Sequence, residues 1–92
     1  MPDLTLTGIL RDIHALATEL QSYERKYGVL SETFFEAYMR GKEPEDDAWV
    51  PDFELWAGAY QIWLNRQREY RAALRRLQKP LTLSHLVAVA TS

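Results

Sequence analysis

The sequence predicts an all-α protein. The expected architecture is a three-helix domain in which the first and third helices form a long antiparallel hairpin, with a short middle helix and an apolar C-terminal tail. Two observations point there. Along two long stretches the apolar residues recur at alternating steps of three and four, the spacing of a helix seam. Glycine and proline stand where the three helices must stop, at Gly28, Gly41 and Pro80. A chain of 92 residues makes one domain at most, and a domain of that size buries little more than ~60% of its unfolded surface. Residues 1–80 are expected to form this single helical domain, and residues 81–92 a separate apolar tail.

The first helix is expected from Thr5 to Tyr27. Leu6, Ile9, Ile13, Leu16, Leu20, Tyr23 and Tyr27 make its seam, and Leu10 and Ala17 widen it. Gly28 sits where a left-handed C-cap belongs. A short helix follows from Ser31 to Arg40. Ser31 is the expected N-cap, and Leu30 and Phe35 the expected hydrophobic staple. Phe34 with Tyr38, and Phe35 with Met39, make this helix apolar on two flanks. From Gly41 to Pro51 the chain reads as an acidic loop, because Pro44 and Pro51 oppose helix through most of it.

Asp52 is expected to cap the third helix, which runs to Lys79 and stops at Pro80. Its seam is Phe53, Trp56, Tyr60, Trp63, Gln67, Tyr70, Leu74 and Leu77. The first half is apolar almost all round, since Leu55, Ala59, Ile62 and Leu64 flank the seam. The second half is a thin apolar stripe on an arginine-rich rod. Gln67 interrupts that stripe and reads two ways: a polar residue that fixes register, or a layer lying at the surface. The tail from Leu81 carries Leu83, Leu86, Val87 and Val89 with no charged residue. Its last part reads equally as a helical turn or an extended strand.

Size turns this pattern into a functional expectation. A helix of that length extends about 40 Å, whereas a compact chain of this size has a radius of gyration of ~12 Å and a diameter of roughly 30 Å. The arginine-rich half should therefore project, leaving its stripe wet in a monomer and available as an interface. The expected protein-interface residues are Gln67, Tyr70, Arg71, Leu74 and Leu77 on the helix, with Leu83, Leu86, Val87 and Val89 on the tail. The expected partner is another protein chain, a second copy of this one included.

Charge supports association. Of the thirteen acids, Glu43, Glu45, Asp46, Asp47, Asp52 and Glu54 lie together; of the eleven bases, Arg66, Arg68, Arg71, Arg75, Arg76 and Lys79 do. Such polarity favours complementary surfaces. Nucleic acid is not an expected partner, because the arginines are spread around the helix and the net charge is -2. Trp49, Trp56 and Trp63 invite comparison with a base-stacking platform. Seam spacing of Trp56 and Trp63 with Phe53 and Tyr60 favours a core instead.

Other classes fall away on composition. Without cysteine there is no disulfide framework, thiolate metal site or cysteine nucleophile. The acids around Glu43 lack the spacing of a calcium loop, and His14 and His85 have no ligand neighbours, so neither metal nor cofactor is expected. No nucleophile–base pairing is legible, and the protein is read as non-enzymatic. Met1-Pro2-Asp3 lacks the basic start of a secretory signal. The apolar run Leu86 to Ala90 is too short to span a bilayer. A cytoplasmic protein is expected, with no membrane partner.

One ordered pattern stands beside these readings: Tyr23-Glu24-Arg25-Lys26-Tyr27-Gly28, Ser31-Glu32, Phe34-Phe35, Gly41, Asp46-Asp47, and Asp52-Phe53 with Trp56. It resembles a family of small helical prokaryotic proteins, many described as antitoxin-like and paired with a small toxin. The resemblance implies neutralisation by occlusion, in which a helix or tail covers the toxin's active surface. The alternative is a structural homo-oligomer, a helical assembly whose seams meet copies of themselves.

Overall fold

The structure, a computed structural model, describes residues 5–76. Those residues form three α-helices and one 3-10 turn, with no strand among them: α1 Leu6–Tyr27, α2 Ser31–Met39, the turn Asp47–Trp49, and α3 Val50–Arg76. The described residues form an all-α, three-helix domain. The expectations for the tail, residues 81–92, and for the end of the third helix at Lys79 lie outside the described residues.

α1 begins as its sequence suggests. Thr5 Oγ1 accepts a hydrogen bond from the Gly8 amide at 3.1 Å, and so satisfies one of the donors a helix start leaves unpaired. It ends at Gly28, whose φ of 73° lies in the left-handed region that glycine enters without steric cost.

α2 starts differently from expectation. Leu30, not Ser31, occupies the N-cap position and makes no side-chain cap. Ser31 is instead buried at 3% exposure, with its amide and hydroxyl both donating to Glu24 Oε2. A capping side chain must turn back onto its own helix, and this one is taken by α1. Leu30 is 67% exposed, so with the helix start shifted by one residue, the staple positions fall to Val29 and Phe34. At the far end Gly41 has φ 84°. Its amide donates to Tyr38 O, and Lys42 N donates to Ala37 O, the paired bonds of a Schellman motif.

α3 also starts earlier than expected. Asp46 accepts from the Ala48 amide at 2.9 Å and caps the 3-10 turn, which runs directly into α3 at Val50. Pro51 is tolerated because it falls in the first turn, where its missing N–H has no helical partner to lose. Asp52 is thereby released from capping and serves in tertiary contacts.

α1 and α3 lie antiparallel in one constant register. Lys26 and Tyr27 meet Asp52, Tyr23 stacks on Trp56, and Asp12 meets Arg66. Each step down α1 is matched by a step up α3. The same register sets Leu6 at the level of the last described turn of α3. This corrects the expectation of a projecting, wet helix half: Tyr70 and Leu74 are half-buried. The molecule accommodates its long helix by being long itself, with a radius of gyration of 16.2 Å and extents of 50 × 26 × 21 Å, well above the ~12 Å of a compact chain.

The core sits at one end, where α2 closes the hairpin. Leu20, Phe34, Trp56, Ala57 and Ala59 are buried, with Leu16, Tyr23, Tyr27, Phe53, Tyr60 and Trp63 packed around them. Leu55 and Ile62, read as flanking the seam, are 60% and 46% exposed. They lie two turns apart on α3, and Ile62 borders a shallow hollow against Asp12, Leu16 and Glu19 of α1.

Candidate protein-binding surface

Trp56 organises the closed end. It is 1% exposed and lies parallel to Phe34 at 3.8 Å between ring centroids, with Tyr23 and Tyr27 each stacked at 5.7 Å. A buried indole needs a partner for its N–H. Nε1 donates to Ser31 Oγ at 2.9 Å, and that hydroxyl donates to Glu24 Oε2 at 2.7 Å. All three helices are tied by this one relay. On the outside, Asp52 Oδ2 accepts from Lys26 Nζ and from Tyr27 Oη, each at 2.6 Å. The bond from Lys26, then that from Tyr27, holds the Asp52 carboxyl below its ordinary range. The bond to Asp52 in turn raises the Lys26 ammonium and the Tyr27 phenol. Burial raises the Tyr23 and Tyr60 phenols.

These residues are largely those of the ordered pattern in the sequence. Glu24, Ser31 and Trp56 form the relay, Tyr27 and Asp52 the outer clasp, Gly28 and Gly41 the helix ends, and Asp46 the cap of the turn. The pattern builds a scaffold.

Beside that scaffold the surface opens into a groove of two lobes. The apolar lobe, about 320 Å³, is an aromatic cup bounded by Tyr27, Val29, Phe34, Trp49, Phe53 and Trp56. Trp49 stands at its rim, 37% exposed, edge-on to Tyr27 at 5.8 Å and near-parallel to Phe53 at 6.2 Å. The second lobe, about 550 Å³, shares Tyr38, Lys42, Glu43 and Phe53 with the first and adds Asp47 and Glu54. Its acids come from the loop before α3 and from that helix's first turns. They are gathered because the 3-10 turn folds the loop back over Phe53.

A third hollow of about 400 Å³ lies between α1, α2 and α3, against Leu20, Leu30, Tyr60 and Trp63. Trp63 Nε1 is buried without a hydrogen-bond partner among the described residues.

The interface residues expected from sequence fall at the opposite end. Gln67, Tyr70 and Leu74 are half-buried and Arg71 is exposed. Leu77, Leu83, Leu86, Val87 and Val89 lie outside the described residues. Arg66 bridges Asp12 and Glu69, each at 3.0 Å, which occupies one of the basic rod's cations. The core reading holds for Trp56, with Phe53, Tyr60 and Trp63 packed against it; what the sequence did not reveal is that Trp49 leaves a cup beside them. The available signal was Trp49, the one tryptophan outside the seam of the third helix and set among acids.

No helix among the described residues is long and apolar enough to cross a membrane. No group of three or more potential metal ligands occurs among them. No family model, curated protein or solved structure matches this chain.

Proposed function

We propose that this chain is a non-enzymatic binding module which acts by covering the active surface of a partner protein, as an antitoxin covers its toxin. The observation that carries the reading is an open aromatic cup on a domain whose own core is already closed. Trp56 is sealed and hydrogen-bonded, yet Trp49 and Val29 leave apolar surface at 37% and 38% exposure around a cavity. Contiguous apolar concavities of this kind usually mark binding sites. Leu30 and Met39 on α2, both 67% exposed, extend the uncovered apolar surface. The resemblance of Tyr23 to Trp56 to antitoxin-like proteins supplies the class of partner.

Co-expression with the product of the adjacent reading frame tests it. That product alone should arrest growth, and this chain should restore growth and co-purify with it in a stable complex. Growth arrest that persists with this chain abundant and folded would falsify the reading.

The second reading, a homo-oligomeric assembly, draws on segregated charge: an acidic end at Glu43–Glu54 and a basic end at Arg66–Arg76 are complementary in antiparallel copies. Light scattering across a concentration series separates the two. A dimer or larger species that dissociates with salt supports assembly, and a monomer at tens of micromolar defeats it.

A further inference from the structure

Resting on the binding-module reading, we infer that the two-lobed groove takes a basic segment of a partner protein. One aromatic or branched aliphatic side chain fills the cup, and a neighbouring arginine or lysine sits in the acidic lobe. The apolar lobe, at about 320 Å³, is at the small end of ligand sites and suits a single anchoring side chain. Its walls are rings, which offer flat faces and edges to an incoming ring or methyl group.

Charge selects the rest of the occupant. Glu43, Asp47 and Glu54 border the second lobe, all exposed. None of the three has an ion-pair or side-chain hydrogen-bond partner among the described residues, whereas Asp12, Glu36, Asp52 and Glu69 each hold a cation. Lys42 is the one base on that lobe. Acids left unpaired beside an apolar hollow repel an acidic segment and steer a basic one, so that charge sets the encounter while the anchor sets residence. The two lobes share Phe53 and Tyr38, so one short segment reaches both. This places the docking surface at the acidic end of the hairpin, opposite the arginine-rich end.

The test uses the whole chain and a tryptophan-free peptide of glycine and serine carrying one phenylalanine flanked by arginines. Trp49 and Trp56 report its binding through their fluorescence. Replacing the peptide's phenylalanine by alanine should weaken binding about tenfold or more. Replacing its arginines by glutamates should abolish it. In the protein, the pair Glu43→Lys with Asp47→Lys should weaken binding about tenfold at low salt and less at high salt. Trp49→Ala, assayed well below its melting temperature and read through the remaining tryptophans, should weaken it similarly, and the surface charge pair, which removes no packing, checks the same groove independently of folding.

Equal binding of the phenylalanine and alanine peptides overturns the proposal, as does indifference to both protein variants. If a peptide of this chain's own residues 66–76 binds the groove and the parent self-associates, the occupant is a second copy, and the partner claim is overturned. The two levels separate cleanly. Neutralisation of a co-expressed partner that survives the charge pair and Trp49→Ala sinks the groove but leaves the binding-module reading standing. Peptide binding with no partner neutralised does the reverse.

Discussion

The two ends of the hairpin solve the same packing problem with different means. At the acidic end three helices meet, Trp56 is sealed between rings, and its indole N–H is passed through Ser31 to Glu24. At the basic end only α1 and α3 are present among the described residues. Tyr70 and Leu74 are half-buried there, and Ile9, at 1% exposure, is the one large side chain fully sealed. A pair of helices covers a seam but not its flanks. The ionic contact at that end, Arg66 with Asp12, joins side chains 22% and 44% exposed, a setting in which such pairs contribute ~1 kcal/mol or less. Stability is therefore concentrated where α2 closes the hairpin, and the same closure frees adjacent rings to form a cup.

Truncating one side chain at each end puts the contrast to its hardest test. Trp56→Ala should cost ~3–5 kcal/mol through the cavity it opens, a large share of the ~5–15 kcal/mol of a typical domain. Leu74→Ala should cost about 1–2 kcal/mol, since only part of its apolar surface leaves water. Chemical denaturation of both variants measures this. Equal losses would mean the basic end is as tightly built as the aromatic one.

Ser31→Ala isolates the polar relay inside the closed end. It leaves the Trp56 indole N–H buried without its acceptor and takes a donor from Glu24, so a loss of ~1–3 kcal/mol is expected. If the serine were only an N-cap, as its place in the sequence suggests, the loss would be ~1 kcal/mol and Ser31→Asp would largely retain the stability. A Ser31→Asp variant as stable as the parent would thus count against the relay, since a carboxylate there would face Glu24.

Gly28→Ala comes next. A Cβ at this position meets no other atom within 4 Å, so the cost is that of a left-handed φ alone, ~1–2 kcal/mol. A stabilised variant would mean that the turn between α1 and α2 can relax away from φ 73°.

The smallest expected effect is that of Asp52→Asn, read through pH. Asp52 has its carboxyl pKa depressed by Lys26 and Tyr27. Its stabilisation is therefore present above the ordinary carboxylate pKa of ~3.9 and is lost as pH falls through the lowered folded value. Lys26 and Tyr27 have raised pKa values, so their share is full below ~10 and is lost as pH rises above it. The melting temperatures of parent and variant should differ at neutral pH and converge toward both extremes. A difference that does not change with pH would show that the clasp acts by packing and not by charge.

How much of this was legible beforehand follows from range. The seams of α1 and α3, the stop at Gly28 and the bend at Gly41 are set by neighbours within a few residues, through helical period and glycine's freedom at positive φ. Those features were read from sequence directly. Ser31 and Asp52 were read as caps because local rules favour them there, and both were claimed by partners about 7 and 25 residues away in sequence. The groove was invisible for a related reason. Whether a ring such as Trp49 is core or rim depends on what lies opposite it.

Composition and period were thus enough for the helical class, the three helices of the described residues, the division of charge between the two ends and the aromatic character of the third helix. Each is a matter of composition and period along one strand of chain. That α1 runs alongside α3 to its last described turn, that the relay from Trp56 passes through Ser31 to Glu24, and that the uncovered rings gather beside the acids emerged from the packing of the helices. Those outcomes depend on the register between α1 and α3, which is set by contacts such as Tyr23 on Trp56 and Asp12 with Arg66, and no periodicity within a single helix carries that offset.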